Sequence, residues 1–440
     1  MIKIGSKAKK IIERDKKIFL TTTRVPYSFV SDHAEGEYAY DIEGNKFIDF
    51  SSYVAVYSFG LNETKEIRSA VKTQIDKLMH SAFTDYYSAL PVEFGEQLLT
   101  MFPKGFGKLF LSNSGTEANE AAAKFARIFT GKNYIMSFYN SFHGRSLGSL
   151  AFTSHSTVQR EHFGPFPYAM HVPYPYCYRC PFHMEYPSCG FACIDYIKEY
   201  PLQRETSSKE IAGFIAEPIQ GEGGYIVPPK DYFKKLKKLL DSEGILLIDD
   251  EIQAGYMRAG SFLALDKFGV TADIYTMAKA AGGGLPLGIT VVSNAIGDIP
   301  PGSHATTFGG NLASVAAAYA LLKHLKSNMK KVESDIEKKS SFIMKRLKEM
   351  QENYELLGDV RGMGMMIGIE LVKSKKTKEP APEEVKAVLV EAFNNGLLLL
   401  PAGDSSIRII PPIIISMENL AKGLDILEAA IKRVNSTLKK

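Results

Sequence analysis

A lysine between a mostly apolar stretch and a glycine loop is the residue of this chain with the clearest capacity for chemistry. Lys279 follows residues 275–278 and precedes the three glycines at 282–284. Because glycine has no side chain, such a loop lets a cofactor and a substrate come close to the lysine amine. An amine in this setting can form a Schiff base with a carbonyl cofactor. The alternative interpretation is a surface lysine beside a turn.

Acidic residues stand earlier in the chain, at the end of an apolar segment. Residues 245–248 are all apolar, and Asp249, Asp250 and Glu251 follow them directly. Enzymes that attach a pyridine cofactor to a lysine pair the ring nitrogen with an acid. Asp250 is therefore the candidate partner for a cofactor bound at Lys279.

Residues 112–119 join a predicted strand to an alanine-rich predicted helix. The backbone amides at the start of a helix bind phosphate well. The hydroxyls of Ser114 and Thr116 would add donors, and Gly115 would allow a phosphate to approach closely. The same residue types also suit a capped helix that binds nothing.

A second polar loop, residues 141–145, follows the next predicted strand. Phe142 could stack on a flat cofactor ring, although an isolated phenylalanine more often belongs to the core. Arg145 could bind a carboxylate through two parallel hydrogen bonds, or it could be a surface charge.

Two glutamates and an arginine complete the set of polar candidates. Glu217 and Glu222 lie in a glycine-rich turn after a strand, which could also be an ordinary solvated turn. Arg408 is flanked by apolar residues. An arginine in such surroundings must be paired or must bind an anion, because an unpaired charge in a low dielectric is costly.

All four cysteines fall in one short segment rich in aromatic residues and proline, at Cys177, Cys180, Cys189 and Cys193. This spacing allows three interpretations: a structural zinc or iron–sulfur site, one or two local disulfides, or four reduced thiols. The segment lacks the catalytic neighbours of a reactive thiol. We therefore expect a structural role for the cysteines.

The composition indicates a soluble protein with more than one domain. A chain of 440 residues is too long for one hydrophobic core. Its 53 basic and 49 acidic residues are interspersed, which argues against a nucleic-acid partner. Neither a signal-peptide pattern nor an apolar stretch long enough to span a bilayer is present in the sequence. We expect a cytoplasmic protein without a membrane partner.

The order of the segments predicts an α/β fold. From about residue 108, short apolar segments alternate with helical ones, which is typical of a mostly parallel sheet. Residues that bind ligands in such sheets lie at the carboxyl ends of strands, as residues 112–116 and Asp250 do. Helices are predicted, among other places, over 62–79, 311–327, 332–353 and 417–438. We expect a large domain over 66–325 and a smaller α+β domain built from 326–440 and 1–65.

Together these segments resemble the class III, or ω-amino acid, aminotransferases, from about residue 41 to 412. That family uses pyridoxal 5′-phosphate (PLP) and has the aspartate-aminotransferase-like fold, PLP fold type I. The resemblance implies that Lys279 carries the cofactor and that Asp250 holds its pyridinium nitrogen. It implies further cofactor contacts by Ser114, Gly115, Thr116, Phe142, His143, Glu217, Gln253 and Thr307.

Two of these matches imply more than contact. Gln253 matches the glutamine near the phenolic oxygen of the cofactor. Thr307 matches the threonine that reaches the phosphate of the neighbouring subunit. The resemblance therefore implies a homodimer, or a dimer of dimers, with active sites at the interface.

The substrate residues that the resemblance implies are Arg145, Glu222, Arg408 and Val54. Glu222 would pair with Arg408 while an ω-amino acid is bound and would release it when 2-oxoglutarate enters. Arg145 would bind the distal carboxylate of that acceptor, or the single carboxylate of 4-aminobutyrate. The expected reaction is transamination between 4-aminobutyrate and 2-oxoglutarate.

Other activities share nearly all of these residues. An amino-acid racemase that uses the same lysine and aspartate is the main alternative, followed by ornithine and acetylornithine aminotransferases. A non-enzymatic scaffold or regulator is disfavoured because Lys279, Asp250, Arg145 and Arg408 are all intact.

Overall fold

The structure is a computed structural model, and it describes residues 2, 5–22, 25–60, 64–166 and 168–438. The chain divides into two compact units. The smaller consists of Met1–Thr64 with Lys331–Lys440, and the larger of Lys65–Lys330. No helix in the described ranges combines the length and the apolar character that a membrane crossing requires.

The first part of the smaller unit begins with a basic helix and continues with a small antiparallel set of strands. Its elements are α1 (Ser6–Ile18), β1 (Ser31–Glu35), β2 (Tyr38–Asp41), β3 (Lys46–Asp49) and α2 (Ser52–Ala55). Asp41 shapes the turn between β2 and β3, because its Oδ1 accepts hydrogen bonds from the amides of Glu43 and Asn45, at 3.0 and 2.8 Å.

The larger unit alternates helices and strands, as the sequence predicted. Its elements are α3 (Lys65–Lys77), α4 (Ala89–Leu99), β4 (Phe106–Ser112), α5 (Gly115–Thr130), β5 (Tyr134–Phe138), α6 (Leu147–Phe152), β6 (Ala169–Val172), α7 (Ala192–Glu199), β7 (Ile211–Ala216), α8 (Tyr232–Glu243), β8 (Leu246–Asp250), β9 (Ile274–Met277) and β10 (Gly288–Ser293).

These strands form one seven-stranded sheet in the order β4-β10-β9-β8-β7-β5-β6. Only β10 runs antiparallel to its neighbours, and the pairs from β9 to β6 are parallel. The predicted mostly parallel sheet is confirmed. The carboxyl ends of six strands consequently lie at one edge, where the loops after β4, β5, β7, β8 and β9 come together.

The core of the larger unit explains why α5 is rich in alanine. The strand β7 is buried along its whole length. Small side chains on one face of α5 let this helix pack closely on the sheet. The packed cluster includes Ala121, Ala122, Phe125, Ala126, Ile135, Phe152, Ala212, Ile215, Ile248 and Ile274.

The remaining elements begin with a long helix in which the division between the two units falls. They are α9 (Leu312–Asn353), β11 (Leu357–Met363), β12 (Met366–Leu371), α10 (Pro382–Asn394), β13 (Leu397–Leu398), β14 (Leu400–Ala402), β15 (Ser406–Ile409) and α11 (Met417–Asn435). The strands form the orders β11-β12-β15-β14 and β1-β2-β3-β13.

Four predicted helices differ from the observed ones. The helices predicted over 311–327 and 332–353 are one continuous helix of 42 residues, because residues 328–331 contain neither glycine nor proline to end it. The helix predicted over 62–79 spans Lys65–Lys77, and its predicted start at Asn62 lies outside the described residues. The last helix ends at Asn435 rather than at residue 438.

Candidate active site

Lys279 lies in a tight turn directly after β9. The turn is a short 3-10 segment, Lys279–Gly282. The backbone of Lys279 is left-handed, with φ of 41°, a conformation that costs a residue with a side chain about 1–2 kcal/mol. A Cβ on Gly283 would lie 3.3 Å from the carbonyl oxygen of Ala317. The glycines therefore let the chain turn sharply, and they hold the lysine at the carboxyl end of β9.

The register of the sheet brings Asp250 to the same edge. Asp250 ends β8 and pairs with Thr276 of β9, close to Lys279 along the chain. Only 3% of Asp250 is exposed. Its Oδ1 accepts a hydrogen bond from the Ile252 amide at 3.0 Å. Its Oδ2 lies 2.7 Å from His143 Nδ1, which faces an acceptor and therefore carries the proton.

The loop from residue 112 to residue 116 is the N-terminus of α5. Ser114 is the N-cap, and its Oγ accepts a hydrogen bond from the Glu117 amide at 3.3 Å. The capping interpretation is therefore correct, but it leaves the first amides of the helix without intrahelical partners. A Cβ on Gly115 would lie 2.8 Å from the side chain of Ile252. Glycine is needed at this position, and the helix end can still accept an anion.

Thr116 is tied to its surroundings rather than exposed to solvent. Its Oγ1 contacts the hydroxyl of Ser146 at 2.8 Å and also that of Ser149. Ser146 in turn donates to the Glu120 carboxylate. This hydroxyl network fixes the rotamer of Thr116, so its backbone amide is the group that remains for a phosphate.

Phe142, His143 and Arg145 lie in the loop after β5. Phe142 is half-buried, and the centre of the Arg145 guanidinium lies 5.3 Å from the Phe142 ring centroid. Arg145 itself is exposed. His143 is buried, and its amide donates to Thr153 Oγ1 at 2.9 Å. One loop thus places the Phe142 ring beside the Arg145 guanidinium, and it also brings His143 into contact with Asp250.

Glu217 joins two loops of the site. Its Oε1 accepts from the Phe142 amide at 3.0 Å, and its Oε2 accepts from the Gly221 amide at 2.8 Å. Burial raises the pKa of Glu217 to about 7, although His143 and the two amides oppose the shift. With both oxygens engaged, Glu217 positions the Phe142 loop.

Gln253 is oriented by a buried tyrosine. The hydroxyl of Tyr225 donates to Gln253 Oε1. A Cβ on Gly221 would lie 2.5 Å from Gln253 Nε2, so a larger residue there would displace this amide. The contact with Tyr225 assigns the carbonyl oxygen of Gln253 to the tyrosine side and leaves the Nε2 group as the donor for a ligand.

The two threonines at 306 and 307 differ in position. Asn113 Nδ2 donates to Thr306 Oγ1 at 3.1 Å, which ties this segment to the loop before α5. Thr307 is exposed. The role of Thr307 at the phosphate of a neighbouring subunit stays a prediction.

The four predicted substrate residues are divided between the units. Arg145 and Glu222 belong to the larger unit, and Val54 and Arg408 to the smaller one. Arg408 lies on β15, is 4% exposed, and donates from Nε to the Pro401 carbonyl oxygen at 2.8 Å. The predicted exchange of Arg408 between Glu222 and a substrate carboxylate stays a prediction.

Val54 lies in an unusual backbone segment. All four residues of α2 have positive φ: 44° at Ser52, 47° at Tyr53, 65° at Val54 and 62° at Ala55. A left-handed turn built from residues with side chains is strained. Two contacts hold its first residues, since Ser52 Oγ donates to the Ile410 carbonyl and Tyr53 OH lies 2.9 Å from Ser31 Oγ. The turn leaves Val54 exposed.

The cysteine segment is separate from these residues. All four cysteines are free thiols that line one small cavity. Burial, with a further contribution from neighbouring thiols, raises the pKa of Cys193 to about 12. Across the ranges that the structure describes, no three His, Cys, Asp or Glu side chains are placed to hold a metal ion. The choice among reduced thiols, disulfides and a metal site stays a prediction.

Several residues of the site were not predicted from the sequence. Asn119 donates from Nδ2 to Asp250 Oδ2 at 2.7 Å, and Thr276 donates to Asn119 Oδ1 at 2.7 Å. Tyr225 contacts Gln253. The only sequence signal was an asparagine among the alanines of α5, because a polar side chain on a buried helix face needs partners.

Comparison with known proteins identifies the family. A family model described as aminotransferase class-III matches residues 20–431. The chain is 41% identical to the leucine/methionine racemase of Thermococcus litoralis, over 96% of this chain and 95% of that one. It is 37% identical to the acetylornithine aminotransferase of Clostridium acetobutylicum, over 94% and 100%. It is 33% identical to a probable 4-aminobutyrate aminotransferase of Bacillus subtilis, over 90% and 92%.

The fold agrees with this assignment. The taurine:2-oxoglutarate aminotransferase of Bifidobacterium kashiwanohense, solved in complex with PLP and glutamate, superposes with a TM-score of 0.90 at 26% identity, covering 100% of both chains. The predicted PLP fold type I is confirmed. The chain belongs to the class-III aminotransferases, a PLP-dependent family.

Proposed function

We propose that this protein binds PLP and interconverts the two enantiomers of a neutral α-amino acid. The observation that carries this proposal is the 41% identity to a leucine/methionine racemase over nearly the full length of both chains. This identity is higher than the 37% and 33% to the two aminotransferases. The racemase alternative therefore takes precedence over the 4-aminobutyrate reaction that the sequence alone suggested.

The residues at the strand ends fit a phosphorylated pyridine ring. The N-terminus of α5, with Gly115 where a side chain would collide with Ile252, suits the phosphate. The half-buried Phe142 would cover one face of the ring. Gln253 Nε2 would donate to the phenolic oxygen, and Asp250 would hold the ring nitrogen. PLP bound in this way supplies an electron sink for the charge left when a substrate Cα loses its proton.

Lys279 is the residue proposed to move the proton on one face of the substrate. Its Nζ takes the Cα proton and can return it, which restores the starting enantiomer. A proton that solvent delivers to the opposite face gives the mirror image, and Lys279 then releases the proton it took to solvent. Neither outcome needs a keto acid, since the amino group is not transferred to another molecule. Racemisation therefore requires protonation from the opposite face while the amino group stays with its substrate.

A second candidate is the transamination of 4-aminobutyrate with 2-oxoglutarate. The observation in its favour is the combination of Arg145, Glu222 and Arg408, which would serve substrates with one or two carboxylates. The relative from Bacillus subtilis supports it. The two candidates predict different requirements: transamination stops without a keto acid, and racemisation does not.

One assay distinguishes the candidates. The protein with PLP is incubated with single enantiomers of leucine, methionine, alanine and ornithine, and with 4-aminobutyrate, each with and without 2-oxoglutarate. Chiral chromatography then follows both enantiomers and glutamate. We expect D-amino acid from L-leucine or L-methionine without 2-oxoglutarate. Glutamate formation without any change of enantiomer would refute the racemase proposal and support the aminotransferase one.

We also propose that the protein acts as a homodimer. The support is the exposed Thr307, which matches the threonine that reaches a neighbouring subunit in the family. Sedimentation equilibrium with and without PLP tests this, and a monomer that is fully active would contradict it.

A further inference from the structure

Asn119 is a polar residue in the middle of an apolar helix face. It lies on α5 among the buried alanines that pack against the sheet, and none of its surface is exposed. A buried amide is costly unless its donors and acceptor are all used. Both the oxygen and the nitrogen of the Asn119 side chain form hydrogen bonds, and one of these bonds is to Asp250.

The contacts of Asn119 fix the orientation of its amide. Thr276 Oγ1 donates to Asn119 Oδ1 at 2.7 Å. Asn119 Nδ2 donates to Asp250 Oδ2 at 2.7 Å and to the His143 carbonyl oxygen at 2.8 Å. A reversed amide would place its oxygen against two acceptors. The Thr276 hydroxyl therefore holds Nδ2 toward Asp250.

The two oxygens of Asp250 are consequently unequal. Oδ2 receives two side-chain donors, Asn119 Nδ2 and His143 Nδ1. Oδ1 receives one backbone donor, the Ile252 amide at 3.0 Å. A carboxylate oxygen can accept two hydrogen bonds. Oδ1 is thus the oxygen that retains capacity for a further donor, such as a protonated ring nitrogen.

We propose that Asn119, oriented by Thr276, is a positioning residue that keeps the proton on the cofactor nitrogen rather than on Asp250. This inference rests on the proposed role of Asp250. Donors to a carboxylate favour its ionised form. Saturation of Oδ2 by two donors keeps Asp250 a hydrogen-bond acceptor at a site that is almost fully buried. Loss of the Asn119 donor shifts the shared proton from the ring nitrogen toward the aspartate.

The position of Thr276 supports this role. It pairs with Asp250 across β8 and β9, so the residue that orients Asn119 belongs to the strand that leads to Lys279. Among the described residues, its hydroxyl otherwise has a long contact, 3.5 Å, with the Asp249 carbonyl oxygen. The hydroxyl of this completely buried threonine therefore makes one strong contact, its hydrogen bond to Asn119 Oδ1.

The test measures the protonation of the cofactor nitrogen directly. Protein is reconstituted with PLP labelled with 15N in the ring, and its NMR shift is recorded for wild type, Thr276→Val, Thr276→Ser, Asn119→Leu and Asp250→Asn. Valine has the shape of threonine without the hydroxyl, and serine keeps the hydroxyl. Thermal unfolding of each protein without PLP shows whether it is folded.

We expect the 15N signal of Thr276→Val to move toward that of an unprotonated pyridine, and that of Asn119→Leu to move further. Thr276→Ser should restore the wild-type signal. Loss of one charge-assisted hydrogen bond predicts a fall in turnover of roughly ten- to a hundredfold for Asn119→Leu. The thermal midpoint of Thr276→Val should match that of Thr276→Ser within a few degrees.

Two results would overturn the inference. One is a wild-type 15N signal in folded Thr276→Val and Asn119→Leu protein while Asp250→Asn loses it, which leaves Asp250 in its role but removes that of Asn119. The other is a wild-type 15N signal in Asp250→Asn itself. That result refutes the proposed role of Asp250 in the cofactor site, and with it the basis of this inference.

Discussion

At the scale of single residues, two buried tyrosines of the larger unit differ in what their hydroxyls contact. Tyr225 donates to Gln253 Oε1. The hydroxyl of Tyr256 has no hydrogen-bond partner among the residues that the structure describes. Both side chains are almost completely buried. Removal of the two hydroxyls in turn therefore separates the effect of orienting Gln253 from the effect of changing a buried ring.

Tyr225→Phe should weaken PLP binding by about tenfold, since the Gln253 amide loses the hydroxyl donor that orients it. The dissociation constant is measured by fluorescence titration of the PLP-free protein. Tyr256→Phe is the matched control and should bind PLP as the wild type does. Equal affinities in both variants would show that Gln253 does not depend on Tyr225.

Asp250 and its neighbour Asp249 allow a second matched pair of substitutions. Burial, with a further contribution from Glu251, raises the pKa of Asp249 well above the usual range. Asp250→Asn should lower turnover by roughly 10²–10⁴-fold, because an amide cannot hold the pyridinium proton. Asp249→Asn leaves the Asp250 carboxylate in place and should have little effect.

Steady-state kinetics on L-leucine checks this pair. A loss of only a few-fold in Asp250→Asn would assign the acid to Glu251 or another group. An equally large loss in Asp249→Asn would show that the charge at 250 is not what matters.

At the scale of elements, the cysteine segment is a packed loop whose thiols are expected to be inert. Burial raises the pKa of Cys177 and Cys193, and a protonated thiol is a poor nucleophile. We expect four thiols per chain to titrate after unfolding without prior reduction, and Cys193 to react slowly in the folded protein. Thiols that appear only after reduction would indicate disulfides, and about one zinc per chain by metal analysis would restore the metal interpretation.

The strand-end loops show what an element contributes to the site. The loops after β4, β5, β7, β8 and β9 meet at one edge because the strands of the large sheet are mostly parallel. The strained turn at Lys279 follows directly from that arrangement: the chain must leave β9 sharply, and glycines at 283 and 284 make this feasible.

At the scale of the whole molecule, buried carboxyls make stability depend on pH. Burial raises the pKa of Glu217 to about 7 and that of Glu251 to about 8. The folded protein therefore binds more protons than the unfolded chain up to about pH 8, and the free energy of unfolding should fall as pH rises. His171, whose pKa burial lowers to about 4, acts in the opposite sense below about pH 6.5.

Above about pH 6.5 the opposing contribution of His171 is absent. Denaturant unfolding between about pH 6.5 and 8.5 should show a smaller decline in Glu251→Gln than in the wild type, because the amide cannot lose a proton. The largest slope that one such group contributes is about 1.4 kcal/mol per pH unit. Parallel curves for the two proteins would contradict the assignment to Glu251.

Much of this architecture could be predicted from the sequence, and the exceptions have physical causes. Alternating segments predicted the parallel sheet, and residues after strands predicted the edge at which Asp250 and the loop before α5 lie. The contact between Asn119 and Asp250 joins positions 131 residues apart in the chain, so no local pattern reveals it. The left-handed turn at Ser52–Ala55 contains no glycine, so the sequence gives no sign of it. Contacts with distant residues hold this strained backbone in place.

The most direct test of the account follows the Cα hydrogen of L-leucine in D2O, with PLP and without any keto acid. Proton NMR measures the loss of the Cα signal, and chiral chromatography measures the appearance of the D enantiomer. We expect the wild-type protein to incorporate deuterium and form both enantiomers, and folded Lys279→Ala protein to do neither. Deuterium incorporation at the wild-type rate in Lys279→Ala would contradict the central role given to this lysine.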